Sequence, residues 1–322
     1  MRRFLCAMGW LMASQSVWAA PQVLTSIQPL QLIAQRILDG QGESEVLLPP
    51  GASPHSFSLR PSDNRRLASA DAFFWIGPDM ENFLVKLAAR TPGQSHAMQG
   101  LPGLELLHYG SDHDHDHDHD HDHDHDHDHD HDHDHDHGHG AVALRQHDHH
   151  HQPGGLDTHL WLSSHNARVM AAYMAQEFAR LHPPAAEHYQ ASLQAFNREL
   201  DELDDELETL LQPLRGKPFF VFHEAFNYLE HSYRLPHAGV FALSAEVQPG
   251  ARHVQQMRQA LEQAGASCIF TEPPAPPRLA QSLTKGLPVR LQELDPLGSQ
   301  AASYPELLRT MATAMHQCLS GL

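Results

Sequence analysis

The chain has 322 residues, enough for two domains or for one large domain with a sizeable core. Its formal net charge is −19, from 21 basic and 40 acidic residues, which argues against a nucleic-acid-binding protein because such proteins need a basic surface. Thirteen of the aspartates lie in residues 112–137, where aspartate and histidine alternate strictly. Without them the net charge is −6, so the acidity describes this segment rather than the fold.

The N-terminus is typical of a secretory signal peptide. Arg2 and Arg3 precede an apolar stretch, residues 4–12, that is too short to span a bilayer. Val17 and Ala19 supply the small residues that suit cleavage after Ala19. We therefore expect residues 1–19 to be removed and the mature chain to be periplasmic. An uncleaved membrane anchor is the alternative.

Two cysteines, Cys268 and Cys318, remain once Cys6 leaves with the signal peptide. An even number of cysteines in an exported chain predicts a disulfide bond between them. Two buried thiols are the alternative.

The first part of the mature chain alternates short apolar runs with helical patterns. We expect strands at residues 23–27, 46–48 and 72–76, with helices at residues 30–38 and 59–70. Continuous apolar strands separated by helices are typical of βαβ units, whose parallel sheet is buried on both faces.

Residues 111–152 interrupt this pattern. Aspartate and histidine leave nothing to bury, so we expect a disordered loop. Imidazoles at every second position with carboxylates between them can bind metal ions, and His147, His149, His150 and His151 extend the segment. Three interpretations stay open: a weak zinc collector, a buffer or sensor at high metal concentration, and a repeat expansion with little function. The expected accessory ligands are His113, His115, His117, His119, His121, His123, His125, His127, His129, His131, His133, His135 and His137.

A single long helix is predicted next. Pro183 and Pro184 mark its beginning, Pro213 marks its end, and acidic residues separate the positions of an apolar stripe. We expect this helix to lie along a globular, monomeric body, and a coiled-coil homodimer is the alternative. The stripe consists of Tyr189, Leu193, Phe196, Leu200, Leu203, Leu207 and Leu210.

The alternation of strands and helices then resumes. The predicted elements are strands at residues 219–222, 267–270 and 289–291 and helices at residues 254–264 and 304–319. The expected fold is therefore α/β, with two βα lobes, each built on a parallel sheet, joined by one long rigid helix. The expected boundaries are residues 20–182 for the N-terminal lobe, 183–213 for the helix and 214–322 for the C-terminal lobe.

Three histidines outside the repeat stand where open α/β sheets bind ligands, beyond the carboxyl ends of strands. His55 follows the strand predicted at residues 46–48, His159 precedes a helix expected near Ser164, and His223 directly follows the strand at residues 219–222. A structural role would explain any one of them. Together they favour a shared metal in the cleft between the lobes, since neutral imidazoles suit Zn²⁺.

The segments around these histidines resemble the metal-ligand motifs of the cluster A-I solute-binding proteins of ABC transporters. The first motif is GASPHSFSLRPSD at 51–63, the second is DTHLWLS at 157–163, and the third is FVFHEAF at 220–226. EVQPGA at 246–251 and TEP at 271–273 are similar to the zinc-uptake branch, the ZnuA type. A histidine-rich loop between the first two ligands and the pair Cys268 and Cys318 also resemble that branch.

The resemblance implies a periplasmic, high-affinity zinc-binding protein that delivers Zn²⁺ to the inner-membrane permease of an ABC importer. His55 and His159 would bind zinc from the N-terminal lobe and His223 from the C-terminal lobe. Manganese and iron members add a carboxylate a few residues after the position of Glu272, but residues 273–277 here are PPAPP. An all-imidazole set favours zinc, and the fourth ligand stays open.

Two other functions are alternatives to this one. The first is an exported zinc buffer without a transporter partner. The second is a three-histidine zinc enzyme, for which the chain offers no identifiable general base; His223-Glu224 begins like a zinc-hydrolase motif, but Asn227 breaks H-E-x-x-H. His108, His165, His231, His237 and His253 are expected to be structural or surface residues.

Overall fold

The computed structural model describes residues 19–110, 154–242, 250–273 and 277–322. The predicted signal peptide, apart from Ala19, and the histidine-rich segment lie outside the described residues, as do residues 246–249 of the EVQPGA motif. Within the described part of the chain, no helix has the length and apolar character needed to cross a membrane.

The N-terminal lobe is built on a four-stranded parallel sheet. Its strands are β1 (Gln22–Thr25), β2 (Glu43–Val46), β3 (Ala72–Trp75) and β4 (Ser95–Ala97), in the order β2-β1-β3-β4. Its helices are α1 (Gln28–Leu38), α2 (Pro61–Ser69), α3 (Val85–Ala88) and α4 (Ser164–Leu181). Ser163 caps α4, because its side chain accepts a hydrogen bond from the Asn166 amide.

The C-terminal lobe repeats the same design. Strands β5 (Phe219–His223), β6 (Val240–Ala242), β7 (Ser267–Thr271) and β8 (Val289–Glu293) form a parallel sheet in the order β6-β5-β7-β8. Between and after them lie α6 (Asn227–Tyr233), α7 (Ala251–Ala264), α8 (Pro277–Thr284) and α9 (Tyr304–Leu319). The order of the strands is the same in both lobes.

The predicted strand at residues 46–48 was wrong in position. The strand ends at Val46, and Leu47 and Leu48 are buried beyond it. An edge strand pairs on one side only. Strand β2 therefore alternates exposed and half-buried residues and has no continuous apolar run. The short strands β4 and β6 and helices α3, α6 and α8 were not predicted, because segments of three to eight residues carry little periodic signal.

The linking helix α5 (Ala186–Leu211) contacts both lobes. A short 3₁₀ turn over Pro183–Ala185 precedes it, and another over Gln212–Leu214 follows it, so the prolines mark its ends as predicted. Its buried positions are Tyr189, Ser192, Phe196, Leu200, Leu203, Leu207 and Leu211, whereas the predicted Leu193 and Leu210 are only partly buried. The mean spacing of the buried positions, about 3.7 residues, is close to that of a straight helix rather than the 3.5 of a coiled coil.

Acidic side chains of α5 bind arginines from the helices on either side. Arg36 of α1 contacts Glu199 at 2.7 Å, and Arg309 of α9 contacts Glu206 at 2.8 Å. These pairs are partly exposed, so each contributes little stability in water. They add contacts with α1 and α9, while the apolar side of α5 belongs to a core that includes residues of both lobes.

A disulfide bond joins Cys268 of β7 to Cys318 of α9, whose Cα atoms are 6.2 Å apart. Both residues are buried within the same core as α5. The bond therefore fastens the last helix to the sheet of the C-terminal lobe.

Free-thiol titration of the non-reduced mature protein in denaturant is expected to find no thiol. Replacing both cysteines by serine should lower the free energy of unfolding by about 4 kcal/mol, since the crosslink closes a loop of 50 residues in the unfolded chain. Denaturant unfolding of the wild type and the double variant measures this loss. Two reactive thiols per chain without reductant would contradict the disulfide.

Candidate metal centre

His55 lies in the loop between β2 and α2. The loop ends where the Arg60 amide donates to the Asp63 carboxylate at 2.8 Å, and Pro61 then opens α2. Within the loop, the His55 amide donates to the Ser53 hydroxyl at 3.2 Å. The turn thus holds the half-buried histidine beyond the carboxyl end of the N-terminal sheet.

His159 lies just before a 3₁₀ turn, Leu160–Leu162, that leads into α4. The turn is fixed from the C-terminal lobe, because the Trp161 indole donates to the Pro296 carbonyl at 2.7 Å. His159 itself is 2% exposed. Its position is therefore set by packing on all sides.

His223 is the last residue of β5, one of the two central strands of the C-terminal sheet. Like His159, it is 2% exposed. It faces the N-terminal lobe from the carboxyl edge of its own sheet. Two lobes with the same strand order thus present histidines to one another from equivalent edges.

The structure brings the three predicted histidines together. Their ring centroids are 5.5 Å apart for His55 and His159, 5.7 Å for His55 and His223, and 5.3 Å for His159 and His223. One ring nitrogen from each lies within 4.8 Å of the others. Within the described residues, this is the one cluster of three or more histidine, cysteine or acidic side chains with such close ligand atoms.

Carboxylates orient two of the imidazoles. Asp157 Oδ1 lies 2.8 Å from His159 Nδ1, and Glu272 Oε1 lies 3.0 Å from His223 Nδ1. Because a carboxylate oxygen accepts, each Nδ1 carries the proton and each Nε2 keeps its lone pair for a metal ion. Carboxylate partners also raise the basicity of the imidazole and stop the ring from rotating.

A hydrogen-bond network extends from Asp157 to the stem of the histidine-rich segment, which consists of residues 107–110 and 154–157 on either side of it. The Tyr109 hydroxyl donates to Asp157 Oδ1 at 3.1 Å, and the Tyr228 hydroxyl of α6 donates to the Asp157 carbonyl at 2.8 Å. Burial raises the pKa values of both tyrosines, so they remain donors at neutral pH. Asp157 therefore links the two lobes and the stem to one metal-site histidine.

The histidines expected to be structural or surface residues have partners of their own. His165 Nε2 lies 3.0 Å from the Gly103 carbonyl, and His253 Nε2 lies 3.1 Å from the Val240 carbonyl. His231 and His237 pair with carboxylates of Glu105 and Glu230. Neither these four nor His108 joins the cluster of three in the described structure.

Sequence reasoning did not assign a role to Asp157 or Glu272, although both stood in the quoted motifs. A carboxylate two residues before a candidate ligand was a usable signal, since its side chain can reach the neighbouring imidazole. Glu272 follows β7 directly, so the strand-end rule that identified His223 would also have identified its partner.

Comparison with known proteins gives consistent results. The family profile described as "ZnuA: Zinc-uptake complex component A periplasmic" matches residues 23–318. The "High-affinity zinc uptake system protein ZnuA" of Yersinia pestis is 36% identical over 324 residues, covering 99% of this chain and 98% of that protein. The protein of the same name from Paracoccus denitrificans is 39% identical over 307 residues, covering 93% of this chain and 92% of that protein.

Solved structures share the fold. The "Crystal structure of ZnuA" matches with a TM-score of 0.72 at 22% identity, over 93% of this chain and 99% of that chain. The laminin-binding protein Lmb of Streptococcus agalactiae, described as an adhesin with metal-transporting activity, matches with a TM-score of 0.72 at 20% identity and the same coverage. The family profile and the curated relatives, rather than these distant structures, identify the chain as a member of the ZnuA family of periplasmic zinc-uptake binding proteins, which are not enzymes.

Proposed function

We propose that this protein captures one Zn²⁺ through His55, His159 and His223 and delivers it to the membrane permease of an ABC importer. The observation that carries the proposal is the convergence of three imidazoles from two lobes, with one ring nitrogen of each within 4.8 Å of the others. Because zinc is the cargo, the site must bind it tightly and also release it.

The chemistry of the site suits zinc. Three neutral nitrogens with one open position match a tetrahedral zinc ion at about 2.0–2.1 Å from each ligand. The two carboxylates stay outside the ligand set and act through the imidazoles. Hard cations such as Mg²⁺ and Ca²⁺ prefer oxygen ligands, so this set disfavours them.

Release follows from the division of the ligands between the lobes. A small displacement of β5 relative to the N-terminal lobe would remove His223 from a site that His55 and His159 cannot complete. The chain contains no G-x-x-x-x-G-K-[S/T] motif for binding a nucleotide, so the energy for transport must come from another subunit.

We further propose that residues 1–19 act as a cleaved signal peptide and that the mature protein works as a periplasmic monomer. The alternating segment collects zinc weakly or senses its concentration. An exported buffer without a transporter is the second candidate function. If deleting this chain alone, with its permease intact, abolished growth on limiting zinc, that result would argue against a buffer.

Replacing His223 by alanine in a protein that lacks residues 111–153 should weaken zinc binding by at least a hundredfold, because two ligands cannot complete the shell. His55→Ala and His159→Ala should behave alike. Competition with a chelator of known affinity measures the change. His253→Ala, whose ring bonds a backbone carbonyl of β6, is the matched control and should keep the wild-type affinity. Unchanged affinity in His223→Ala would remove this residue from the ligand set.

Glu272→Gln and Asp157→Asn should each weaken zinc binding about 10- to 100-fold while one zinc is still bound. Each amide keeps the shape of the side chain but loses the charge that fixes the imidazole tautomer. The same chelator competition measures both variants. Glu199→Gln is the control for the loss of one negative charge. Glu199 pairs with Arg36 rather than with a cleft histidine, so this variant should keep the wild-type affinity for zinc. An equal loss in all three variants would mean that the field of the whole protein, not the paired carboxylates, sets the affinity.

Deleting residues 111–153 should lower the number of zinc ions bound while the tightest site keeps its affinity. The stem tolerates the deletion, because Gly154 N donates to the Tyr109 carbonyl at 2.7 Å and the two chain ends meet there. In the full-length protein, zinc binding by the histidines of residues 111–153 should be lost as pH falls through about 6.5, where free imidazoles gain protons. Calorimetric titration of both proteins at two pH values decides this. Equal stoichiometry would leave the repeat without a metal role, whereas a weaker tightest site would show that it supplies the fourth ligand.

A further inference from the structure

The stem of the histidine-rich segment holds a tyrosine inside the fold. The two sides of the stem run antiparallel, with His108 opposite Leu156. The Tyr109 amide donates to the Gly155 carbonyl at 2.9 Å, and the Gly154 amide donates to the Tyr109 carbonyl at 2.7 Å. Tyr109 is 3% exposed, so the stem fixes its backbone while its side chain is packed within the protein.

The Tyr109 hydroxyl contacts the carboxylate that orients His159. Oδ1 of Asp157 accepts three hydrogen bonds, from the Tyr109 hydroxyl at 3.1 Å, from His159 Nδ1 at 2.8 Å and from the His159 amide at 3.0 Å. Oδ2 makes no hydrogen bond within the described residues. Two of the three donors belong to His159, so Tyr109 is the one that connects this carboxylate to a distant part of the chain.

Burial makes this third donor important. The Asp157 side chain is 0% exposed, whereas that of Glu272, the partner of His223, is 11% exposed. A carboxylate that water cannot reach must take its hydrogen bonds from the protein, because an ionised group without them is costly to bury. Burial and the charge of Asp157 raise the pKa of Tyr109, so its hydroxyl keeps the proton and remains a donor.

Local bonds alone do not fix the orientation of the Asp157–His159 pair. The two residues are close in sequence, so the bonds between them set how their side chains lie relative to one another. Contacts from elsewhere hold the pair against the rest of the fold: Tyr228 donates to the Asp157 carbonyl at 2.8 Å, and Tyr109 holds the carboxylate. One tyrosine thus anchors the backbone of Asp157, and the other anchors its side chain.

We propose that Tyr109 is a positioning residue of the zinc site. By holding the Asp157 carboxylate, it keeps the His159 imidazole in the orientation that binds zinc, without touching the ion. Fixing a ligand before the metal arrives lowers the ordering cost of binding. The inference rests on the proposed function, in which His159 is a ligand. It makes the stem part of the metal centre, whether or not the repeat above it binds metal.

Tyr109→Phe tests the proposal in the full mature chain, because it removes the hydroxyl and keeps the packing of the ring. The zinc affinity of the tightest site should fall on the order of fivefold to tenfold. This loss is smaller than the one expected for Asp157→Asn, since Tyr109 acts one hydrogen bond further from the ion. Competition with a chelator that binds zinc more tightly than the repeat does reports the tightest site alone.

Nuclear magnetic resonance of the metal-free protein, labelled with ¹⁵N-histidine, tests the orientation of the imidazole directly. The Nδ1 proton of His159 is held by Asp157 in a buried position, and its signal is assigned by its loss in His159→Ala. In Tyr109→Phe this signal should shift, and the proton should exchange faster with water. A tyrosine that only packed in the core would change the stability of the protein and leave this signal unchanged.

Tyr233→Phe is the matched control. The Tyr233 hydroxyl donates to Asp204 Oδ1 at 3.2 Å and the residue is 5% exposed, so this variant also removes the donor of a tyrosine–aspartate pair. Asp204 lies on the linking helix α5 rather than beside a cleft histidine. Zinc affinity and the His159 signal should therefore both keep their wild-type values.

Three results would overturn the inference. Wild-type zinc affinity in Tyr109→Phe would show that the hydroxyl does not act on the site, and an unchanged His159 signal would show that it does not position the imidazole. Equal losses in Tyr109→Phe and Tyr233→Phe would show a general effect of stability. His159→Ala tests the proposed function itself: wild-type affinity in that variant would overturn both, whereas a loss there beside wild-type affinity in Tyr109→Phe would overturn this inference alone.

Discussion

The structure depends on the buried side of α5, because this helix belongs to an apolar cluster that contains residues of both lobes, while a smaller cluster lies within the C-terminal lobe alone. Phe196 packs against Tyr304 of α9, and Tyr189 packs against Phe178 of α4, so the same helix contacts both ends of the molecule. Wide separation of the lobes would expose this core and lose on the order of 25 cal/mol for each Å² of apolar surface. We therefore expect metal exchange to require only small displacements of the residues near the carboxyl ends of the strands, where the proposed ligands lie.

In the proposed metal centre, each lobe contains one carboxylate–imidazole pair. A carboxylate on the N-terminal side orients His159, and another on the C-terminal side orients His223, so each lobe prepares its own imidazole before any metal arrives. Preparing a ligand in advance reduces the ordering cost of binding. The division between lobes then lets affinity and release be adjusted separately: the paired carboxylates set how well each nitrogen binds, and the lobe positions set whether they bind together.

Much of this arrangement could be predicted from the sequence, and the rest had physical reasons to escape prediction. The proximity of His55, His159 and His223 could be anticipated from their positions near strand and helix ends and from the motifs around them. Helix α5 could be predicted because 26 residues give a strong periodic signal. The burial of Ser192 and Leu211 was missed because it depends on the tertiary packing around the helix rather than on the apolar pattern of the sequence. The network of Tyr109 and Tyr228 was missed because it joins segments over a hundred residues apart.

The stem below the histidine-rich segment has a consequence for how this protein can vary. Tyr109 and Gly154 are held together by backbone hydrogen bonds, so the chain leaves and re-enters the fold at one point. Doubling the length of a flexible loop whose ends are joined raises the entropic cost of closing it by only about 0.6 kcal/mol. Adding or removing aspartate–histidine units between Tyr109 and Gly154 is therefore expected to change the stability of the two lobes very little.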